Sequence, residues 1–210
     1  MKWEIAQFFE IRWWQHYLGQ QEVEDYLSRK KNYWEGILSA CPFALSPSYR
    51  ILDAGCGPAG IFTILQDYQV DAIDPLIDQY EKVLPHFSRR QYPNTQFFPT
   101  TFEHFSPTAT YDLVFCLNAV NHFKNITLAM EKLGTLTAPG QWLALSIDTH
   151  KWRLAKHLFR MIPADLLHPH QYDLKEYEQM LTSAGFKIFQ TEKLKNGYIF
   201  DYHIIFAKRI

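Results

Sequence analysis

A surplus of charge of either sign is missing from this sequence: 21 Lys and Arg stand against 22 Asp and Glu, for a formal net charge of -1. Without a general basic footprint, nucleic acid is not an expected partner. No apolar run approaches the roughly 18 residues that a membrane span needs. The stretch from Met1 to Glu10 carries Glu4 and Glu10 where an export signal would have a basic segment followed by an apolar one. These absences predict an unexported, cytoplasmic chain with no membrane partner. Cysteine is scarce, and Cys41, Cys56 and Cys116 show no CxxC spacing, which argues against a disulfide framework and a cysteine zinc site. Internal repeats and low-complexity tracts are absent. At 210 residues and 47% hydrophobic content, the length suits one sizeable core with room for a small appendage.

Aromatic residues are plentiful, at 16% of the chain. Near the N-terminus Ala6, Phe9, Trp13 and Tyr17 recur at helical spacing, with Phe8, Ile11, Trp14 and Leu18 forming a second row beside them. Two such rows exceed one contact surface. Either one packs on the core while the other roofs a pocket, which makes Trp13 and Tyr17 candidate substrate-binding residues, or the surplus is plain core or a dimer contact. The oligomeric state is open on this evidence. After Gly19, residues 21–39 make an amphipathic helix with Val23, Tyr26, Leu27, Tyr33, Trp34 and Ile37 available for burial. Residues 1–48 are therefore expected to form a helical cap, and 49–210 a separate domain.

From Tyr49 onward, short apolar runs alternate with helical segments, the signature of a parallel sheet with crossover helices. Strands are predicted at 50–54, 70–74, 96–98, 111–117 and 142–147. Helices are predicted at 60–67, at 77–90 with an interruption at Pro85, and at 122–137, stopped by Ala138-Pro139-Gly140. A helix over 151–161 and a loop over 162–172 follow. Then comes a helix over 173–183, N-capped by Asp173 and closed by Gly185. Runs at 186–194 and 198–208 flank Asn196-Gly197, a strong hairpin signal.

The segment Arg50-Ile51-Leu52-Asp53-Ala54-Gly55-Cys56-Gly57-Pro58-Ala59-Gly60 holds a G-x-G-x-x-G that follows a predicted strand and opens a predicted helix. An acidic residue, Asp74, ends the next strand roughly 20 residues on, where it can accept hydrogen bonds from ribose hydroxyls. The joint pattern points to a nucleoside-type ligand. A dehydrogenase shares the fingerprint, but Pro58 removes a backbone donor from the loop that would hold a pyrophosphate.

ILDAGCGPAG, VDAIDP, YDLVFCLNAVNHF and LTAPGQWLALSID together resemble the class I S-adenosylmethionine-dependent methyltransferases, over roughly residues 49–148 with an extension through the terminal hairpin. The resemblance implies a Rossmann-like α/β fold: a seven-stranded, mostly parallel sheet in the order 3-2-1-4-5-7-6, with helices on both faces and an antiparallel last strand. It implies S-adenosyl-L-methionine as cofactor and a small molecule as the methyl acceptor, at oxygen or nitrogen; an aromatic roof over the pocket would make that acceptor partly apolar. Carried over residue by residue, it implies cofactor contacts at Asp53, Gly55, Cys56, Gly57, Gly60, Asp74, Pro75, Thr101, Phe102 and Asn118. Thr101 stands where the family commonly has Asp. A fold of this kind that binds the nucleoside without turnover is the alternative from a different class.

If the acceptor must lose a proton, a histidine is the usual agent. His122, just past the fourth strand, is the candidate catalytic base; capping of the following helix is its other reading. His168 and His170, in the proline-bracketed loop, are candidate substrate-binding residues. No metal is expected, because their spacing with Asp148 and His150 matches no closed site.

Overall fold

The computed structural model describes residues 2–150, 172–196 and 200–210. Its strands are β1 (Arg50–Ala54), β2 (Gln69–Ile73), β3 (Thr95–Phe98), β4 (Tyr111–Leu117), β5 (Thr137–His150), β6 (Phe186–Asn196) and β7 (Phe200–Arg209). They form one sheet in the order β3-β2-β1-β4-β5-β7-β6, as the motifs implied. The helices are α1 (Lys2–Leu18), α2 (Val23–Ala40), α3 (Ile77–Val83), α4 (Ile126–Leu136) and α5 (Leu174–Ser183). These elements fall into two compact units, Met1–Phe105 and Ser106–Ile210.

In the first unit, β1 pairs in parallel with β2, and β2 with β3. Four consecutive residues of β1 and four of β2 are buried, the near-continuous burial expected of parallel strands covered on both faces. Phe62 sits among Phe87, Tyr92 and Phe97, all edge-to-face with centroids 5.0 to 6.3 Å apart. Burial of a side chain that size contributes about 1.5–3 kcal/mol, and the ring geometry adds to it. Both aromatic rows of α1 are present, with different surroundings. Ile11 and Leu18 of the second row are buried, whereas Phe9, Trp13 and Tyr17 of the first are 58%, 51% and 42% exposed.

Two predicted helices of this unit are shorter in the structure. In place of a helix over 60–67 there is one 3-10 turn, Ile61–Ile64, because the chain must reach β2 by Gln69. The helix predicted over 77–90 ends at Val83. Pro85 forces its predecessor out of helical geometry, and Leu84 is extended at φ -113 and ψ 116.

In the second unit β4 and β5 are parallel, and β7 runs antiparallel to both β5 and β6. The helix predicted from His122 begins instead at Ile126. Val120–His122 is a separate 3-10 turn, and the Asn125 side chain accepts from the Leu128 N–H to cap α4. β5 also begins earlier than predicted. Thr137 pairs with Tyr111 before the register shifts to Leu113 and Trp142, so Ala138-Pro139-Gly140 lies within the strand as an irregularity. Asn196 pairs with Asp201 across the terminal hairpin; Gly197, the helix predicted over 151–161 and nearly all of the loop after it lie outside the described residues.

The start of α5 is as the sequence predicts. Asp173 accepts from the Glu176 N–H at 3.1 Å, and the Glu176 carboxylate accepts from the Asp173 N–H at 2.7 Å, a complete capping box. Asp173→Ala should therefore lower stability by about 1 kcal/mol, read as a fall in the urea midpoint at constant slope; an unmoved midpoint would contradict the cap.

Candidate functional site

Strands β1 and β2 end side by side, with Ala54 in register with Ile73. The chain reverses there, and the N–H groups of Gly55 and Cys56 both donate to the Ile73 carbonyl, at 2.9 and 3.0 Å. The next N–H, of Gly57, donates to Oδ2 of Asp74 at 3.0 Å, while the Leu76 N–H donates to Oδ1 at 2.9 Å. Asp74 is only 8% exposed, and these two donors fix its plane. Asp53, 2% exposed, accepts from the Phe62 N–H at 3.2 Å and so holds the start of the 3-10 turn against the end of β1.

Two glycines of the loop have identifiable work. Gly57 takes φ +59, which presents its N–H to Asp74. At Gly60 a Cβ would stand 2.5 Å from Asp53 Oδ2 and 2.5 Å from the Cys56 carbonyl oxygen, so only hydrogen fits.

The first two helices supply parts of this region that the sequence reading did not assign to it. The Trp34 indole N–H donates to the Ala59 carbonyl at 2.9 Å, tying α2 to the glycine loop. Lys30, one turn earlier, lies over the Trp34 ring at 4.8 Å and within electrostatic range of Asp53. From α1, the Trp14 ring reaches 4.0 Å from where a Cβ on Gly57 would be, and its side chain hydrogen-bonds Glu10, which feels the charge of Asp74. Helical spacing could have flagged Trp14, four residues after Glu10; nothing in the local sequence marks Glu10 or Lys30 as facing a site. Trp13 and Tyr17, the candidate substrate contacts, stack on each other at 4.9 Å on the exposed side of α1.

These carboxyls hold their protons unusually well. Burial pushes Asp74 up to about 6, against the stabilising N–H groups of Leu76 and Gly57. Burial, with the charge of Asp74 added, takes Asp53 up to about 7 despite the Phe62 N–H. Glu10 rises to about 7 through burial first and Asp74 second. Burial lowers Lys30, and the charge of Asp53 opposes that. The Cys56 thiol is raised by burial and by both aspartates, so it is not a nucleophile.

The other candidates are placed as follows. Pro75 is half-buried beside Asp74, and Phe102 is buried. Thr101 is occupied locally: its hydroxyl is 3.0 Å from His104 Nδ1, and its carbonyl accepts from the N–H groups of His104 and Phe105. In the second unit, Asn118 adopts φ 54, a left-handed conformation uncommon outside glycine. Its N–H donates to the Ser146 hydroxyl at 2.8 Å, and that hydroxyl donates back to Asn118 Oδ1 at 2.9 Å. His122 is exposed at the end of its 3-10 turn. Neighbouring Asn121 is buried and accepts a hydrogen bond from the Tyr177 hydroxyl, which gives it a structural part. His168 and His170 lie outside the described residues.

A buried, loop-clamped carboxylate after β2 and a glycine turn after β1 are what the sequence motifs implied, and a family model decides between the nucleoside-binding families. The model for the methyltransferase domain matches residues 26–191. The chain belongs to the methyltransferase family. A ubiquinone biosynthesis O-methyltransferase of Rickettsia canadensis is 27% identical over 163 residues, covering 72% of this chain and 66% of that protein, so the match spans just under two thirds of the relative's length. Magnesium protoporphyrin IX methyltransferase from Synechocystis PCC 6803, a structure with bound S-adenosylhomocysteine, superposes with TM-score 0.59 at 17% identity, covering 88% of this chain and 84% of its own. The [4+2]-cyclase SpnF superposes with TM-score 0.65 at 13% identity, covering 85% and 81%. At such identities the two structures show the methyltransferase fold alone, and the cyclase shows that this fold also carries other chemistry.

The raised carboxyls set the pH response of the ligand-free methyltransferase domain. Between the ordinary carboxyl range near 4 and the folded value near 7, the folded chain keeps a proton on Asp53 that the unfolded chain has released. Stability must then fall as pH rises through that window and level off above it. Thermal melts between about pH 4.5 and 7.5 should show this fall, and Asp53→Asn should make it shallower. A slope identical in the variant would rule out Asp53 as its source.

Proposed function

We propose that this chain transfers the methyl group of S-adenosyl-L-methionine to a hydroxyl on a small, partly apolar molecule. The observation that carries the reading is the Asp74 carboxylate, clamped by the N–H groups of Gly57 and Leu76 at the mouth of a glycine loop. The curated relative from Rickettsia is an O-methyltransferase, which favours oxygen over nitrogen as the acceptor atom. The residues suit the cofactor: Asp74 has acceptor capacity left for ribose hydroxyls, and the fully buried Tyr80 lies beside it.

When bound, the cofactor supplies a methyl carbon on a cationic sulfur, open to in-line displacement. The chain's own part is mainly positioning. Asp74 fastens the sugar. Asp53 holds the loop, with Lys30 the cation within its electrostatic range, suited to the cofactor's carboxylate. Phe102 and Thr101 belong to the adenine side and Asn118 to the methionine side. His122 takes the acceptor's proton. Residues 1–48 serve as the cap over the cofactor. A cytoplasmic setting suits Cys41, Cys56 and Cys116, none of which is in a disulfide; no helix among the described residues is long and apolar enough to cross a membrane.

Incubation with the cofactor and a panel of phenols should yield S-adenosylhomocysteine by mass spectrometry. Asp74→Ala should raise the Kd for that product at least about tenfold, as one or two charge-assisted hydrogen bonds require. Tight binding of a nicotinamide dinucleotide, with no heat from either adenosyl compound, would overturn the assignment. His122→Ala should slow turnover by about 10²-fold; an unchanged rate removes His122 from the chemistry.

A further inference from the structure

The bond from Tyr177 uses only one half of the Asn121 carboxamide. Asn121 lies in the 3-10 turn Val120–His122, which follows β4 at the carboxyl end of the sheet, the edge where open α/β folds bind their ligands. It is 6% exposed. A carboxamide so withdrawn has one oxygen that needs donors and two N–H groups that need acceptors, and each group left over costs free energy. The Tyr177 hydroxyl serves the oxygen, donating to Oδ1 at 2.5 Å. The nitrogen Nδ2 has no partner among the described residues, and it is not one of the side-chain atoms sealed from solvent.

Tyr177 is held firmly enough to decide how that amide lies. It is fully buried in α5, its ring packs edge-on to Tyr172 at 5.8 Å, and its N–H donates to the carbonyl of Asp173, the residue that caps the helix. Burial raises its hydroxyl, which therefore stays protonated and donates. With the oxygen taken in the interior, the amide has one sense: oxygen inward and N–H groups outward, in the same turn that ends with His122. Outward N–H groups select by chemistry, since they donate only to an oxygen with a lone pair to offer. In a methyl acceptor the oxygen that gains most is the one losing its proton, because a hydrogen bond to an ionised oxygen is about twice as strong as one to a neutral oxygen.

We propose that Asn121 holds the phenolic oxygen of the methyl acceptor through its Nδ2 N–H groups, and that Tyr177 is the positioning residue that aims them. The proposal rests on the reading of the chain as an O-methyltransferase. It divides the work on one oxygen between neighbours in a single turn. His122 removes the proton, and Asn121 steadies the oxyanion that results, leaving a lone pair for the methyl carbon.

Binding of para-nitrophenol to the chain saturated with S-adenosylhomocysteine tests this, because the ionised dye is coloured and reports its own protonation. The bound dye should favour the phenolate. Asn121→Asp keeps the size and the oxygen that accepts from Tyr177 but removes the donor; it should raise the Kd for the dye at least about tenfold and shift the bound form toward the phenol. Tyr177→Phe changes no charge, so a rise in Kd of about threefold or more reads orientation alone; added to Asn121→Asp it should cost less than about twofold further. In both single variants the Kd for S-adenosylhomocysteine should stay within about twofold of the parent value, which shows the fold intact. A dye Kd that either variant leaves unchanged, or a loss equal for both ligands, makes the pair structural and overturns the proposal while the Asp74 assignment stands. Failure of the loaded parent chain to bind the dye overturns it too, and failure to bind S-adenosylhomocysteine overturns the methyltransferase reading with it.

Discussion

A carboxylate withdrawn from water must find donors, and Asp53 and Asp74 find theirs in the backbone of the two turns that follow β1 and β2. Asp74 takes the N–H groups of Gly57 and Leu76, and Asp53 takes that of Phe62. These bonds decide the path of the chain from β1 to β2. They require Gly57 to be left-handed and Gly60 to be bare, since a side chain at Gly60 would meet Asp53 and the Cys56 carbonyl at 2.5 Å. The long helix expected after the loop is replaced by a single 3-10 turn, whose Phe62 N–H donates to Asp53, before the chain enters β2 at Gln69.

The same acids leave the ligand-free site under electrostatic tension. Backbone donors offset part of the desolvation of each carboxylate, and the raised values of Asp53, Asp74 and Glu10 show that they do not offset all of it. A ligand bringing hydroxyl or ammonium donors would relieve that imbalance. Lys30 on α2 and the indole of Trp34, bonded to Ala59, act on the loop from the helical side.

The fold and the loop that carries Asp53 and Asp74 were legible because they rest on local patterns. Apolar runs marked five strands, Asp173 marked a cap, and glycines spaced around Asp53 with Asp74 following marked the loop. Helix ends were less legible: Leu84 yields to Pro85 by a steric rule that the sequence displays, but the replacement of a helix by one turn after Gly60 follows from the short reach to β2 at Gln69, which no local pattern marks. Glu10 and Lys30 were not legible. Each sits on a polar position of an amphipathic helix, and only tertiary packing distinguishes it from an ordinary solvated charge. The two aromatic rows of α1 were visible, yet which one turns inward depended on Ile11 and Leu18 fitting the core, not on the aromatics themselves.

Recognition of the methyl donor and choice of acceptor are separable problems in this chain. In the proposed assignment the first falls to backbone and carboxylates in a loop that tolerates little change, since Gly57 is left-handed and Gly60 has no room for a side chain. The second has no such fixed frame on the page: SpnF superposes on the chain and catalyses a cyclisation, so the fold cannot itself select the reaction. Selection must come from side chains added to a common cradle. The left-handed backbone of Asn118, held at φ 54 by its exchange of hydrogen bonds with Ser146, belongs to the donor side in the proposed assignment. Side chains that face neither Asp53 nor Asp74 can change without disturbing the glycine loop, so one cradle can serve different reactions.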